Sequence, residues 1–176
     1  MNEFATRVTE WQPFYYTLSG VSATMAGLLF TSLSLNPKLL SNHYLRMVSQ
    51  QAFLNFSFLL LLGLMLLQPR QQPLRLALSL SVLGTIGFFR LTSVLVNLRK
   101  AGATSTDARW AARLMGVSLL VFVLLLLVAR LIYTGQAEAL HLLQGITVTL
   151  LISTGKLCWE LLQHGKQGLE ETLDHA

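Results

Sequence analysis

Long apolar segments alternate with short polar connections along the whole chain. Residues 12–37 and 47–69 contain no charged side chain, and three later segments are interrupted by only one or two charges each. Every segment supplies the roughly 20 residues that cross a bilayer core of about 30 Å. The pattern predicts five spanning helices, at about residues 13–36, 48–68, 76–98, 112–133 and 139–163.

The prolines indicate that these helices are continuous. Pro13, Pro37, Pro69 and Pro73 all fall at segment ends, where a missing backbone N–H costs little. The predicted fold is all-α, a transmembrane helical bundle in which residues 1–176 form a single integral membrane domain. Residues 165–176 form a short acidic cytoplasmic tail, which either extends the last helix or is solvated; the second alternative is slightly favoured.

Composition supports a membrane protein. Of 176 residues, 53% are hydrophobic and 12% are charged, against about a quarter charged in a typical soluble domain. The net charge of +5 does not indicate nucleic acid, because Lys and Arg are spread over short connections instead of forming a basic stripe. The predicted partners are the lipid bilayer and further copies of the chain or a membrane protein partner, with no nucleic acid.

Basic residues in the connections predict the orientation. Eight Lys and Arg residues flank one side of the predicted bundle and three flank the other, with Arg90 and Arg130 left aside as intramembrane. The positive-inside rule then places the N-terminus outside and the C-terminus inside.

Polar residues are concentrated on particular faces of the spans. At 100° per residue, one sector of the fifth span holds Gly145, Thr149, Ser153, Lys156, Glu160 and Gln163. A shorter stripe on the third span holds Gly87, Arg90, Ser93 and Asn97, and the second span places Gln51 and Asn55 one turn apart.

The depths of Arg90 and Lys156 in the membrane suggest that the stripes of the third and fifth spans meet. With a rise of 1.5 Å per residue, Arg90 and Lys156 both lie about 12 to 13 Å from the inner face. Charged side chains rarely face lipid, so we expect both to point into the bundle interior or a water-filled cavity. Glu160 would be the shared counter-ion, and the predicted neutral partners are Ser153, Thr149, Asn97, Asn55 and Gln51.

The first span carries a ridge of small residues. Ser19, Ala23 and Gly27 follow one another at four-residue spacing, which lets another helix approach closely. Two readings remain open, tight packing within one subunit and an interface between subunits.

No catalytic or metal-binding motif accompanies these features. The four histidines lack the spacing of a metal site, and the single cysteine, Cys158, rules out an intramolecular disulfide. There is no nucleophile turn and no glycine-rich phosphate loop. The sequence predicts neither an enzyme nor a cofactor.

The stretch W-Q-P-F-Y-Y-T-L-S-G, followed by A-G-L-L-F-T-S-L-S-L, resembles the start of small, uncharacterised bacterial multi-span membrane proteins. The resemblance covers about the first 35 residues. It implies a multi-pass protein of the bacterial inner membrane and supplies no activity and no site residues.

Three functions fit this pattern. The first is a homo-oligomeric channel that passes ions or protons, with a polar, charged vestibule in its cytoplasmic half and an apolar outer gate. The second is a non-conducting interaction or regulatory subunit in which Arg90, Lys156 and Glu160 form a structural lock. The third is a small transporter, which continuous helices and an odd number of spans make less favourable.

Overall fold

The chain is built from α-helices. A computed structural model describes residues 3–37, 43–68, 72–100, 106–136 and 138–173, and these ranges contain no strand. The helices, in chain order, are α1 (Glu3–Glu10), α2 (Gln12–Leu35), α3 (His43–Leu66), α4 (Pro73–Lys100), α5 (Thr106–Tyr133) and α6 (Ala139–Leu173).

Five of these helices are long and apolar enough to cross a membrane, as predicted. Their candidate spans are Gln12–Leu35, Leu45–Leu66, Pro73–Ser93, Gly116–Tyr133 and Ala139–Gln163. Several helices begin or end beyond the predicted apolar segment. Polar residues such as Lys and Arg are good helix formers, so hydropathy marks where the apolar surface stops and not where the helix stops.

The last helix shows this most clearly. α6 continues to Leu173, ten residues beyond its apolar segment. The acidic tail therefore extends the helix over most of its length, and the favoured alternative of a separate solvated tail is wrong for residues 165–173. Residues 174–176 lie outside the described ranges.

A short helix that the sequence did not predict precedes the first span. α1 is amphipathic, and its Val8 is buried. Trp11 alone separates it from α2, and the Trp11 N–H donates to the Val8 carbonyl over 3.2 Å. An eight-residue helix offers only two turns of periodicity, which is too little for pattern reading to distinguish from a polar connection.

The arrangement of the helices leaves a gap between α3 and α4. α4 packs on α5, α5 on α6, and α6 on α3, while α2 packs mainly on the outside of α3. α3 and α4 are consecutive in the chain but touch each other much less than those pairs do. A cleft between α3 and α4 follows from this order.

Two close helix approaches depend on glycine. A Cβ placed on Gly63 of α3 would meet Ser19 Oγ and would lie 3.1 Å from the Tyr15 carbonyl oxygen of α2. A Cβ on Gly87 of α4 would overlap the ring of Phe122 on α5. Small residues at such contacts let helix backbones approach where lipid is as apolar as the protein interior.

The surface of the bundle is apolar along its length. Large side chains with roughly half or more of their area exposed include Leu61, Val82, Leu120 and Ile152, one on each of four helices. A soluble monomer rarely exposes so much contiguous apolar surface. The surface therefore agrees with a multi-pass membrane protein.

Candidate functional site

A buried hydrogen-bond network joins three helices. Gln51 Nε2 donates to Asn55 Oδ1 over 2.9 Å, and Asn55 Nδ2 donates to Thr154 Oγ1 over 3.1 Å and to Ser118 Oγ over 3.4 Å. All four residues are buried, Asn55 with 1% of its area exposed. This set, Gln51, Asn55, Ser118 and Thr154, is called the Asn55 network below, and it ties α3 to α5 and α6.

The sequence predicted only two of the four residues of this network as site residues. Gln51 and Asn55 were predicted polar-cluster residues, but their hydrogen-bond partners are Ser118 and Thr154, which the prediction did not include. Thr154 also donates to the Leu150 carbonyl over 2.7 Å within its own helix. A hydroxyl satisfied in this way enters an apolar core at small cost, so polarity alone did not mark the position.

The cleft between α3 and α4 lies beside the network. Its volume is about 150 Å³. Polar side chains reach it from both helices: Gln51, Asn55 and Ser57 from α3 and Arg90 from α4. Its remaining walls are largely apolar and include Phe58, Leu61, Leu83, Ile86 and Phe122.

Among the described residues that line this cleft, Arg90 is the one cation. It is exposed at the surface of the single chain, and within the described residues its guanidinium has no hydrogen-bond or ion-pair partner. Arg90 lines the cleft together with Gln51 and Asn55, and its predicted role in a water-filled polar cluster stays a prediction. Arg90 and Lys156 are not on adjacent helices, because α5 lies between α4 and α6 in the packing order.

The polar stripe of α6 lies mainly on the outside of the chain. Among the members of the stripe whose side chains the structure describes, Gly145, Thr149, Lys156 and Gln163 are exposed and Ser153 is buried. The Ser153 hydroxyl donates to the Leu150 carbonyl over 3.0 Å. In the single chain, Lys156 and Thr149 therefore do not point into the bundle interior, and the predicted water-filled cavity around them stays a prediction.

The core face of α6 lies on a different sector. It carries Leu143, Leu150, Leu157 and Thr154, each with no more than a trace of exposed area. Burying this face removes leucine side chains from the surface, together with the Thr154 hydroxyl, which already bonds within its own helix. Burying Lys156 would instead require a partner for its charge.

Two predicted site residues cannot be placed. α4 and α6 include Asn97 and Glu160, but the side chains of both lie outside the described part of the structure. Their predicted roles as partners of Arg90 and Lys156 stay predictions.

The small-residue ridge of α2 divides into two parts. Ser19 is buried, packs at Gly63 of α3 and donates to the Tyr15 carbonyl over 2.8 Å. Ala23 and Gly27 are exposed, and nothing lies within 4 Å of a Cβ placed on Gly27. Ser19 thus takes part in packing within one subunit, while the subunit-interface reading stays open for Ala23 and Gly27.

Metal chemistry finds no support in the described residues. Within them, no three His, Cys, Asp or Glu side chains come together in a way that could hold a metal ion. The polar atoms of the Asn55 network are neutral amides and hydroxyls, which suit hydrogen bonding better than transition-metal coordination.

Comparison with known proteins assigns the chain to no family. No protein-family model matches the chain, and no curated protein and no solved structure matches it either. Function is therefore argued from three features of the chain itself: the Asn55 network, the cleft between α3 and α4, and the exposed polar stripe of α6.

Proposed function

We propose that the chain is a subunit of a homo-oligomeric channel of the bacterial inner membrane, in which the polar stripe of α6 lines a path for ions or protons between subunits. The observation that carries this proposal is the exposure of Lys156 within a candidate spanning segment, between Thr149 and Gln163 on the same face.

The position of Lys156 makes contact with lipid unfavourable. It lies seven residues before Gln163, the end of the candidate span, which corresponds to about 10 Å along the helix. The Cα–Cβ bond tilts toward the helix N-terminus, away from this nearer end of the span. A charged side chain near the bilayer centre costs about 2.5 to 3.5 kcal/mol on insertion scales. A second subunit or a water-filled path would remove much of this cost.

A path through one chain is disfavoured because its interior is filled. Leu59, Leu62, Leu125, Leu143 and Leu150 have no exposed area. The Asn55 network closes the polar part of the same interior with side-chain hydrogen bonds. A path would therefore run between subunits, and cyclic symmetry is the usual arrangement that encloses one.

The two halves of the path would differ. The exposed stripe is charged at Lys156 and becomes uncharged toward Gly145, where α6 faces the predicted outer side. Apolar constrictions can gate by excluding water, so the outer half is the proposed gate. Lys156 favours anions over cations. The orientation, N-terminus out and C-terminus in, rests on the distribution of Lys and Arg.

Ion flux from liposomes tests the proposal. The purified chain is reconstituted into liposomes loaded with chloride or potassium, and its oligomeric mass is measured in the same preparation. We expect a stable oligomer and flux that Lys156→Ala alters while the mass is unchanged. An oligomer that passes no ion at several pH values would overturn the proposal.

A second function is favoured by a different observation, the two hydrogen bonds that Asn55 donates to neighbouring helices. Because both N–H groups of Asn55 donate to other helices, the bundle is locked in one packing. Such a lock suits a non-conducting interaction subunit that presents a rigid surface to a membrane partner. In that case Lys156 would be covered by the partner, and the purified chain would show no flux and no stable homo-oligomer.

A further inference from the structure

The cleft between α3 and α4 is polar at one end and apolar at the other. The end of the bundle where α3 begins and α4 finishes carries Arg46 on α3 and Arg90 on α4 and is called the basic end below. Gln51 and Arg90 lie toward this end of the cleft, while Leu61 lies ten residues further along α3 and Leu83 seven residues back along α4. At 1.5 Å per residue these are separations of about 15 Å and 10 Å.

The cleft is also open to the side of the bundle. Leu61 and Ile86 line it, yet 47% and 59% of their areas are exposed. In a membrane this opening would face lipid, so a hydrocarbon chain could enter without leaving the bilayer.

We propose that this cleft binds one anionic phospholipid from the leaflet at the basic end, with its headgroup at Arg90 and an acyl chain along Leu83, Ile86 and Leu61. The proposal does not depend on ion conduction or on which side of the membrane the basic end faces.

Charge complementarity selects an anionic headgroup. Arg90 brings a guanidinium cation to the cleft, and it has no hydrogen-bond or ion-pair partner among the described residues. Basic pockets between membrane helices bind acidic lipid headgroups for this reason. A guanidinium also presents several N–H donors in a plane, which fits two oxygens of one phosphate.

Gln51 supplies a second polar contact. Its side-chain amide has two N–H groups, and among the described residues only the bond to Asn55 uses them. Gln51 is 96% buried yet lines the cleft, so its second N–H has a headgroup oxygen as a suitable acceptor there.

The apolar wall favours a lipid over a free anion. Phosphate in water would gain nothing from Leu83, Ile86 and Leu61, whereas an acyl chain would cover their exposed surface. The order of the contacts also matches a phospholipid. Arg90 lies three residues before Ser93, where the candidate span of α4 ends, or about 5 Å along the helix, whereas Ile86 and Leu83 lie further toward the midplane. A phospholipid likewise has its headgroup near the membrane surface and its chains toward the midplane.

Lipid binding to the purified full chain tests this proposal. Phosphatidylglycerol and phosphatidylcholine with identical acyl chains are added to the protein in detergent, and bound lipid is counted by native mass spectrometry beside the thermal midpoint. We expect phosphatidylglycerol to bind at least about fivefold more tightly, and Arg90→Gln to reduce the two affinities to near equality.

Arg130→Gln is the matched control, because Arg130 is an exposed arginine on α5 that does not line the cleft. It should retain the preference for phosphatidylglycerol. Equal affinities for the two lipids in the unmodified protein, or equal losses in Arg90→Gln and Arg130→Gln, would overturn the proposal.

Two further experiments distinguish the contribution of the lipid headgroup from that of the acyl chain. Ile86→Trp narrows the apolar part of the cleft and should weaken both lipids, while Phe89→Trp, at an exposed position outside the cleft, should not. Inorganic phosphate at millimolar concentration should fail to displace phosphatidylglycerol. Displacement by phosphate alone would identify a free-anion site and contradict lipid binding.

The test does not depend on one variant folding. If Arg90→Gln loses its helical circular dichroism, two other variants still test the proposal, because Arg90→Lys keeps the positive charge and Ile86→Trp keeps the arginine. Arg90→Lys should retain most of the preference for phosphatidylglycerol, and loss of that preference in a folded Arg90→Lys would contradict a role for its charge.

Discussion

Asn55 on α3 donates through its side-chain amide to Thr154 on α6 over 3.1 Å, and the same amide donates to Ser118 on α5 over 3.4 Å. One short side chain therefore bonds to two neighbouring helices in the middle of an apolar bundle. Replacing it with a residue of similar size and no polar atoms removes both bonds and the acceptor of Gln51 at once.

Asn55→Leu should lower the free energy of unfolding by about 1 to 2 kcal/mol. Hydrogen bonds between membrane helices contribute about 0.6 kcal/mol on average and up to about 1.7, and the substitution removes the only described hydrogen-bond partner of the Gln51 side chain. Reversible unfolding in mixed detergent micelles gives the measurement. Ser57→Ala is the control, since within the described part of the chain the Ser57 hydroxyl bonds only to the Phe53 carbonyl of its own helix. An equal loss of stability there would show that the network contributes nothing specific.

The sequence was sufficient for the five long helices because bilayer thickness fixes the length of an apolar segment, and five such segments are present. It was not sufficient to predict which face of each helix is buried. In lipid the outward and inward faces are both apolar, so the most polar sector of α6 is no guide to its core face, and Thr154 was missed while Lys156 was placed inside. Depth along a helix follows from residue count, but neighbours around the bundle do not, and Arg90 and Lys156 proved to lie on helices separated by α5.

Gly63→Ala should destabilise the packing of α2 on α3. The added methyl group would meet Ser19 Oγ and the Tyr15 carbonyl, and overpacking of this kind typically costs about 1 to 3 kcal/mol. Thermal unfolding in detergent should show a lower midpoint. Gly27→Ala is the matched control, because nothing lies within 4 Å of a Cβ at that position.

The contact can also be tested by exchanging the small residue. Adding Ser19→Gly to Gly63→Ala removes the hydroxyl that the new methyl group meets and should recover part of the lost stability. A coupling energy near zero between the two substitutions would contradict direct contact.

Gly87→Ala should disturb the wall of the cleft. The new methyl group would overlap the Phe122 ring, which also packs edge-on against Phe58 with 4.8 Å between ring centroids. Because the ring is held on both sides, we expect a loss of about 1 to 3 kcal/mol in the free energy of unfolding. Phe122→Leu in the Gly87→Ala background should restore part of it, and Gly116→Ala, where a Cβ meets nothing within 4 Å, should have little effect.

Lys156→Glu should shift the ion selectivity of the reconstituted oligomer toward cations. If Lys156 lines the path, reversing its charge changes the Coulomb energy of a passing ion at about 4 Å by about 2 kcal/mol even in bulk water, which corresponds to about a thirtyfold change. The change has opposite signs for anions and cations, so the ratio of anion to cation permeability should fall by at least about that factor. Reversal potentials in asymmetric potassium chloride across a planar bilayer give that ratio.

Salt concentration and a neighbouring residue make this prediction specific to Lys156. The shift should decrease between about 0.1 M and 1 M salt, because the Debye length falls from about 10 Å to about 3 Å. Ile152→Ala changes an exposed apolar residue one turn away and should leave selectivity unaltered. If Lys156→Glu instead breaks the oligomer while the remaining currents keep their selectivity, Lys156 belongs to a subunit contact and the α6 stripe does not line the path.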